Sequence, residues 1–256
     1  MSLAPHTQPP VAERPLLNLR DLADVSPADP DGRIRTGLLY RSAGPHNLAA
    51  DAAATLLDEL GVALILDLRS DLERSARPWP ELPAGVRVHP LAIAPTASTS
   101  TPVWPDPFGP VELGRWYAAL AVQNAADLAA AVHLLAAPDC PPTLIHCTAG
   151  KDRTGIVVAA LLELLGATPE SITADYTRTE DALPAIRATN GIAVPGLDHT
   201  TMPAVLLQAP AEAMHTCLTE LHATHDGFTG LLTDNGVTEQ HRAALRERLL
   251  AAGYEG

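Results

Sequence analysis

The sequence predicts an α/β protein with a central, mostly parallel sheet, helices on its faces and an all-helical C-terminal elaboration. Three observations predict it. Residues 62–68 are an apolar run without alternation, as expected of a strand buried on both faces, and 142–146 read as another strand. Between them lie segments with helical spacing of apolar residues. Beyond Pro169 the helical pattern continues almost without interruption. Strands alternating with helices imply parallel pairing at the centre of the sheet.

Taken in order, residues 1–15 form a proline-bearing, flexible arm, and residues 16–256 read as one catalytic domain. Residues 16–20 and 37–41 read as short strands separated by a turn-rich stretch at 26–32. Residues 48–60 carry a helical period that ends at Gly61, a glycine suited to a C-terminal cap. The buried strand 62–68 follows, then a weaker strand at 86–93 and a loop from 95 to 110 holding five prolines. Residues 113–137 are alanine-rich and helical, with a break near Asn124. The strand 142–146 leads through a short loop into a helix at 154–165 that Gly166 stops. Further helices are expected at 169–178, 180–188, 201–208, 210–224 and 238–251, with turns at 227–230 and 235–236. No internal repeat is visible.

The chain has 256 residues, enough to bury a full core. With 17 basic against 30 acidic residues its net charge is −13, which disfavours nucleic acid and anionic membranes as whole-surface partners. A small anion site is still compatible, because local geometry decides binding over a few ångströms. No apolar run is long enough to cross a bilayer. The first fifteen residues lack an apolar signal core, so a cytoplasmic location is expected, although a signal-independent export route would leave no mark. The sequence says nothing of oligomeric state.

Three cysteines, at 140, 147 and 217, are too few and too scattered for a disulfide framework or a zinc ribbon. Cys140 and Cys147 flank an expected strand. At ~3.3 Å per residue they stand roughly 23 Å apart, too far for a redox pair. His215, His222 and His225 share helical spacing but lack a carboxylate to complete a familiar metal set, so a solvated helix face is expected.

Chemistry concentrates in residues 146–155, His-Cys-Thr-Ala-Gly-Lys-Asp-Arg-Thr-Gly, which hold Lys151, the only lysine of the chain. An apolar strand ending in His146-Cys147, a short loop and a helix opening near Arg153-Thr154 make an anion cradle. Loop amides and the helix N-terminus would converge there, with the helix dipole adding positive potential. A cysteine in that field would be favoured as thiolate, the form that attacks. Arg153, six positions on, can face the sulfur and grip two oxygens of a phosphoryl group. The set fits attack of sulfur on phosphorus, a phosphocysteine intermediate and its hydrolysis, with no cofactor or metal required. A nucleotide-binding Walker loop fits poorly, because Gly-Lys is followed by Asp152 and not by Ser or Thr.

The string resembles the Cys-x5-Arg protein tyrosine phosphatase superfamily and, more narrowly, the atypical bacterial tyrosine and lipid phosphatases of the PtpB-like group. The resemblance extends to Asn18-Leu-Arg-Asp21, to 32–42 with Arg41, to Asp67-Leu-Arg69 with Glu73, and to Ala174-Asp-Tyr-Thr-Arg178. It implies a tyrosine-phosphatase-like fold whose C-terminal helices form a lid. It also implies a substrate that is a phosphorylated protein or a phosphoinositide.

By that resemblance Cys147 is the nucleophile and Arg153 the phosphate clamp. Thr148, Ala149, Gly150, Lys151 and Thr154 complete the phosphate-binding loop, and His146, Asp67 and Arg69 support it. Asp152 is the first choice for general acid. The alternative is Asp106 in Trp104-Pro105-Asp106, a tripeptide similar to the mobile acid loop of the classical enzymes. In place of the group's carboxylate after strand 86–93 stand Ala94-Pro95-Thr96. Arg35 and Arg41 could guide an anion, but surface pairing with carboxylates is the expectation. Two rivals of another class are a catalytically silent phosphate-binding module and a sulfur- or arsenate-transferring enzyme. The latter lacks a partner thiol within reach.

Overall fold

The computed structural model describes residues 16–25, 33–45, 48–95, 106–189 and 202–251. The expected arm at 1–15, the turn-rich stretch 26–32 and most of the proline-rich loop lie outside these residues. Five strands form one sheet: β1 (Arg20–Asp21), β2 (Leu39–Ser42), β3 (Leu64–Asp67), β4 (Arg87–Pro90) and β5 (Thr143–His146), in the order β1-β2-β5-β3-β4. β1 pairs antiparallel with β2, and the other three pairings are parallel. The two-sided apolar runs are therefore explained by position: β2, β5 and β3 are central and wholly buried. β4 is an edge, largely exposed, and it ends in a proline, which an edge tolerates.

Alternate residues of each strand enter two different apolar layers. Leu39, Leu66 and Ile145 join the larger core, while Tyr40, Ile65 and Leu144 join a smaller one with Leu57. Leu57 belongs to α1 (Ala50–Glu59), which covers the smaller side. The larger side is covered by α3 (Pro110–Gln123), α4 (Ala125–Leu135), α5 (Asp152–Leu164), α6 (Pro169–Thr177), α7 (Leu183–Ala188), α8 (Ala211–His225), α9 (Gly227–Asp234) and α10 (Glu239–Leu249). α2 (Asp71–Ala76) follows β3 directly. Helices α3 and α8 cross so closely that a Cβ on Gly114 would stand 2.4 Å from the Ala213 carbonyl oxygen.

The expected break near Asn124 is a 71° bend between α3 and α4. The Asn124 amide fills it, donating to the carbonyls of Ala94 (3.0 Å) and Leu120 (2.8 Å). Among the described residues no single helix is long and apolar enough to cross a membrane.

Three expectations need correction, and one helix was missed. The strand at 16–20 is reduced to Arg20–Asp21, because Asn18 sits at φ 57°, a left-handed conformation that no strand can carry. The turn at 227–230 is the first turn of α9, since Phe228, Leu231 and Leu232 recur at helical spacing and are all buried. The helix at 201–208 is a single 3-10 turn, Ala204–Leu207. α2 was not expected at all. Its signal was the pair Ser70 and Glu73, a capping box in which each side chain bonds the other's backbone amide.

Candidate active site

Parallel register sets Ser42, His146 and Asp67 side by side at the C-terminal ends of β2, β5 and β3. The loop after β5 therefore leaves the sheet at its centre, where open α/β sheets place ligands. What this loop does follows from where its carbonyls go. His146 O accepts from Leu68 N, and Thr148 O from Gly44 N, both at 2.9 Å. Cys147 O lies 2.9 Å from His146 Nδ1. A carbonyl can only accept, so that nitrogen carries the proton. Ala149 O and Gly150 O accept from Asn18 Nδ2 at 3.3 and 3.0 Å, and Gly150 O also from an Arg41 nitrogen at 2.7 Å.

Five consecutive carbonyls are thus held by donors from the surrounding framework. In a trans peptide the N–H points opposite to the C=O. The amides of residues 148–151 are accordingly turned away from those donors, and a backbone so arranged can cradle an anion. Gly150 is required within it. Its φ is +67°, and a Cβ there would lie 2.2 Å from Ser42 O and 2.7 Å from Ala43 N.

Arg153, in the first turn of α5, is fixed by Glu73 through two bonds of 2.7 Å, one to each carboxylate oxygen. Thr148 Oγ1 donates to Glu73 Oε1 at 2.5 Å and accepts from Arg153 at 3.3 Å. The Glu73 carboxyl is raised by burial. The bonds and charge of Arg153 outweigh this and hold it far below the ordinary range. Burial opposes the Arg153 charge too, but Glu73 and the Cys147 sulfur raise its pKa further above an arginine's usual value. Cys147 itself is buried at the head of the loop.

Asp152 opens α5 and accepts from the Tyr117 hydroxyl, which in turn meets the Tyr176 hydroxyl at 2.9 Å. Burial first, then the Asp152 charge, push the Tyr117 pKa well up, so this phenol remains a donor. Lys151 points elsewhere. Its ammonium donates to the carbonyls of Leu206 (2.7 Å) and Gln208 (2.8 Å) and lies 3.2 Å from Asp152 Oδ1. Its three protons are therefore directed at protein oxygens. Thr154 is buried, and its hydroxyl meets no hydrogen-bond partner among the described residues.

Asp67 and Arg69 form a buried pair at 2.6 Å, and Arg69 continues to Arg77 O. Trp79 Nε1 donates to His146 Nε2 at 3.0 Å, and Asp67 Oδ2 stands 3.5 Å from that same nitrogen.

Asp106 is exposed ahead of α3, and Trp104 and Pro105 lie outside the described residues. Arg35 is exposed and bonds Leu250 O. Arg41 corrects the expectation of surface pairing: it is fully buried, bound to Asp175 and to Gly150 O. His215 and His222 are exposed on α8.

The sequence reading gave no role to several residues at this site. Glu73, Asn18, Arg20 and Asp175 appeared only as parts of matching blocks, and Tyr117 not at all. The capping box at Ser70–Glu73 is the one local signal that marked any of them.

The family model described as "Tyrosine phosphatase family" matches residues 14–251. The triple specificity protein phosphatase PtpB of Mycobacterium tuberculosis is 34% identical over 203 residues, 67% of this chain and 69% of that protein. A Cupriavidus necator protein named as a tyrosine-protein phosphatase is 33% identical over 171 residues, 62% of this chain and 59% of its own. Among solved structures, the catalytic core of the yeast PP-IP phosphatase Siw14 overlaps loosely. Its TM-score is 0.37 at 20% identity, covering 68% of this chain and 88% of that one. On the family match and the identity to PtpB, this chain belongs to the tyrosine phosphatase family.

Proposed function

We propose that the protein hydrolyses phosphomonoesters through a cysteinyl-phosphate, with phosphotyrosine as the first substrate class and phosphoserine, phosphothreonine and phosphoinositides beside it. The observation that carries this reading is the loop after β5, whose carbonyls at 146–150 are all held by donors while Arg153 is held across it by Glu73. The breadth of substrates draws on the name of the M. tuberculosis relative, a triple specificity phosphatase.

In this mechanism the Cys147 thiolate attacks phosphorus in line, the S–P bond forms and the P–O ester bond breaks. The departing oxygen takes a proton from Asp152, with Asp106 as the alternative donor. Water then attacks phosphorus and returns the thiolate, giving up a proton to the same carboxylate. The inward amides and Arg153 stabilise the equatorial oxygens of the transferring group. Positive charge comes from the chain itself, so the reaction is proposed to run without a metal.

The test is phosphate release by the purified protein from a phosphotyrosine peptide, a phosphoserine peptide and a phosphoinositide, beside Cys147→Ser. A burst of product in rapid mixing is expected with the wild type and none with the variant. Wild-type turnover by Cys147→Ser would sink the mechanism. Binding without any burst would favour the silent phosphate-binding module.

A further inference from the structure

Behind the phosphate loop, on the side away from the amides, lie three buried charges. Arg20 Nε donates to Asp175 Oδ1 at 2.7 Å, and another Arg20 nitrogen donates to Asp175 O at 2.7 Å. Arg41 takes the second carboxylate oxygen of Asp175 with one nitrogen and Gly150 O with the other. Arg41 is 0% exposed, Asp175 3% and Arg20 4%. Two cations thus share one carboxylate, and a unit of positive charge is left over in a place where water cannot screen it.

The cost of burying that excess is visible. Burial and the neighbouring Arg41 lower the Arg20 pKa to about 10, while the two guanidiniums outweigh burial and hold the Asp175 carboxyl at about 2. For stability alone a balanced pair would serve better.

We propose that Arg41 is a positioning residue of the phosphate loop: it fixes the Gly150–Lys151 peptide, and the Arg20–Asp175–Arg41 group puts an unscreened positive charge behind the oxyanion cradle. This rests on residues 147–153 being that cradle. Holding Gly150 O turns the Lys151 amide toward the pocket. The surplus charge then favours an oxyanion bound there. Asn18 backs the arrangement. Its amide holds Ala149 O and Gly150 O, and its own oxygen accepts from Arg20.

The test uses the full chain with tungstate as an oxyanion probe, titrated by calorimetry beside thermal denaturation. Arg41→Met leaves Arg20 and Asp175 as a balanced pair. It is expected to weaken tungstate binding at least tenfold. Arg41→Lys keeps the charge but can reach only one of its two partners, so it should fall between wild type and Arg41→Met. Asn18→Gly preserves the left-handed backbone, removes the amide and should weaken tungstate about threefold.

A merely structural role would lower the melting temperature while leaving tungstate affinity unchanged, and that result overturns the proposal. If Arg41→Met does not fold, wild-type affinity in both Arg41→Lys and Asn18→Gly overturns it instead. A wild type that binds tungstate without turning over substrate refutes hydrolysis and leaves this inference standing. A wild type that binds no tungstate overturns both.

Discussion

Arg153 and Glu73 face one another as guanidinium and carboxylate, joined by two parallel bonds of 2.7 Å. The same Glu73 oxygen that takes Arg153 Nη1 also accepts from Ser70 N at 2.9 Å, closing the capping box of α2. One carboxylate therefore starts a helix and aims a guanidinium. Arg153 reaches the loop with its orientation already fixed, so in the proposed mechanism little rotamer entropy remains to be lost on binding a phosphoryl group.

Glu73→Gln separates the two duties, because glutamine can still close a capping box. Removing a charge-assisted bond of this kind costs roughly 1.5–3 kcal/mol. We expect kcat/KM for an aryl phosphate to fall on the order of tenfold to a hundredfold, with a melting temperature only a few degrees lower. Steady-state kinetics beside thermal denaturation reads both, and unchanged kinetics in a folded variant contradicts the assignment.

The strand, loop and helix around Cys147 were legible because each signal there is local. A strand buried on both faces shows as an unbroken apolar run, and the helix that follows declares itself by its period. Partners brought in by the fold leave no such trace. Glu73 and Arg153 are separated by 80 residues, Asn18 and Gly150 by 132, and Arg20 and Asp175 by 155. Arg41 was misread for the same reason, since a lone arginine says nothing of the carboxylate that will bury it. Glu73 was within reach all the same. Ser70-x-x-Glu73 is a capping box, and reading it would have given both α2 and a carboxylate at the end of β3.

Gly150 tests the nest directly. Ala at this position must adopt φ +67° and place its Cβ 2.2 Å from a backbone oxygen. Left-handed strain alone costs on the order of 1–3 kcal/mol, and the clash forces β2 and the loop apart. Gly150→Ala is expected to lose more than a hundredfold in kcat/KM while retaining the far-ultraviolet circular dichroism of the fold. Near wild-type kinetics would show that the loop tolerates other geometries.

Lys151 ties the head of α5 to the 3-10 turn Ala204–Leu207 through two carbonyls. Ala209 N and Leu207 O are tied in turn to Glu180 and Arg187. Lys151→Met leaves the carbonyls of Leu206 and Gln208 without their donor, at about 1–3 kcal/mol. The melting temperature should drop by several degrees and protection from hydrogen exchange around 204–209 should fall. If protection there is unchanged, the tether is not what holds this turn.

Acid should unfold the protein through Glu73 and Asp175. Both carboxyls ionise more readily folded than unfolded: Asp175 is held at about 2 and Glu73 well below its usual value. Below their unfolded pKa values, near 4, the unfolded chain binds protons that the folded one refuses, so stability falls with pH. Their contribution is complete above about pH 5 and drains away as the pH descends toward 2. For Asp175 it is on the order of 2 kcal/mol. Melting temperatures between pH 7 and pH 3 should decline steeply in the wild type and less steeply in Asp175→Asn.

The proton donor is decided by pH–rate profiles of Asp152→Asn and Asp106→Asn. Asp152 stands at the head of α5 beside the loop, in contact with the Tyr117 hydroxyl and 3.2 Å from the Lys151 ammonium. Asp152→Asn should abolish the basic limb of the profile, because the acid that generated it is gone. If Asp106→Asn abolishes it instead, the proton comes from the loop ahead of α3.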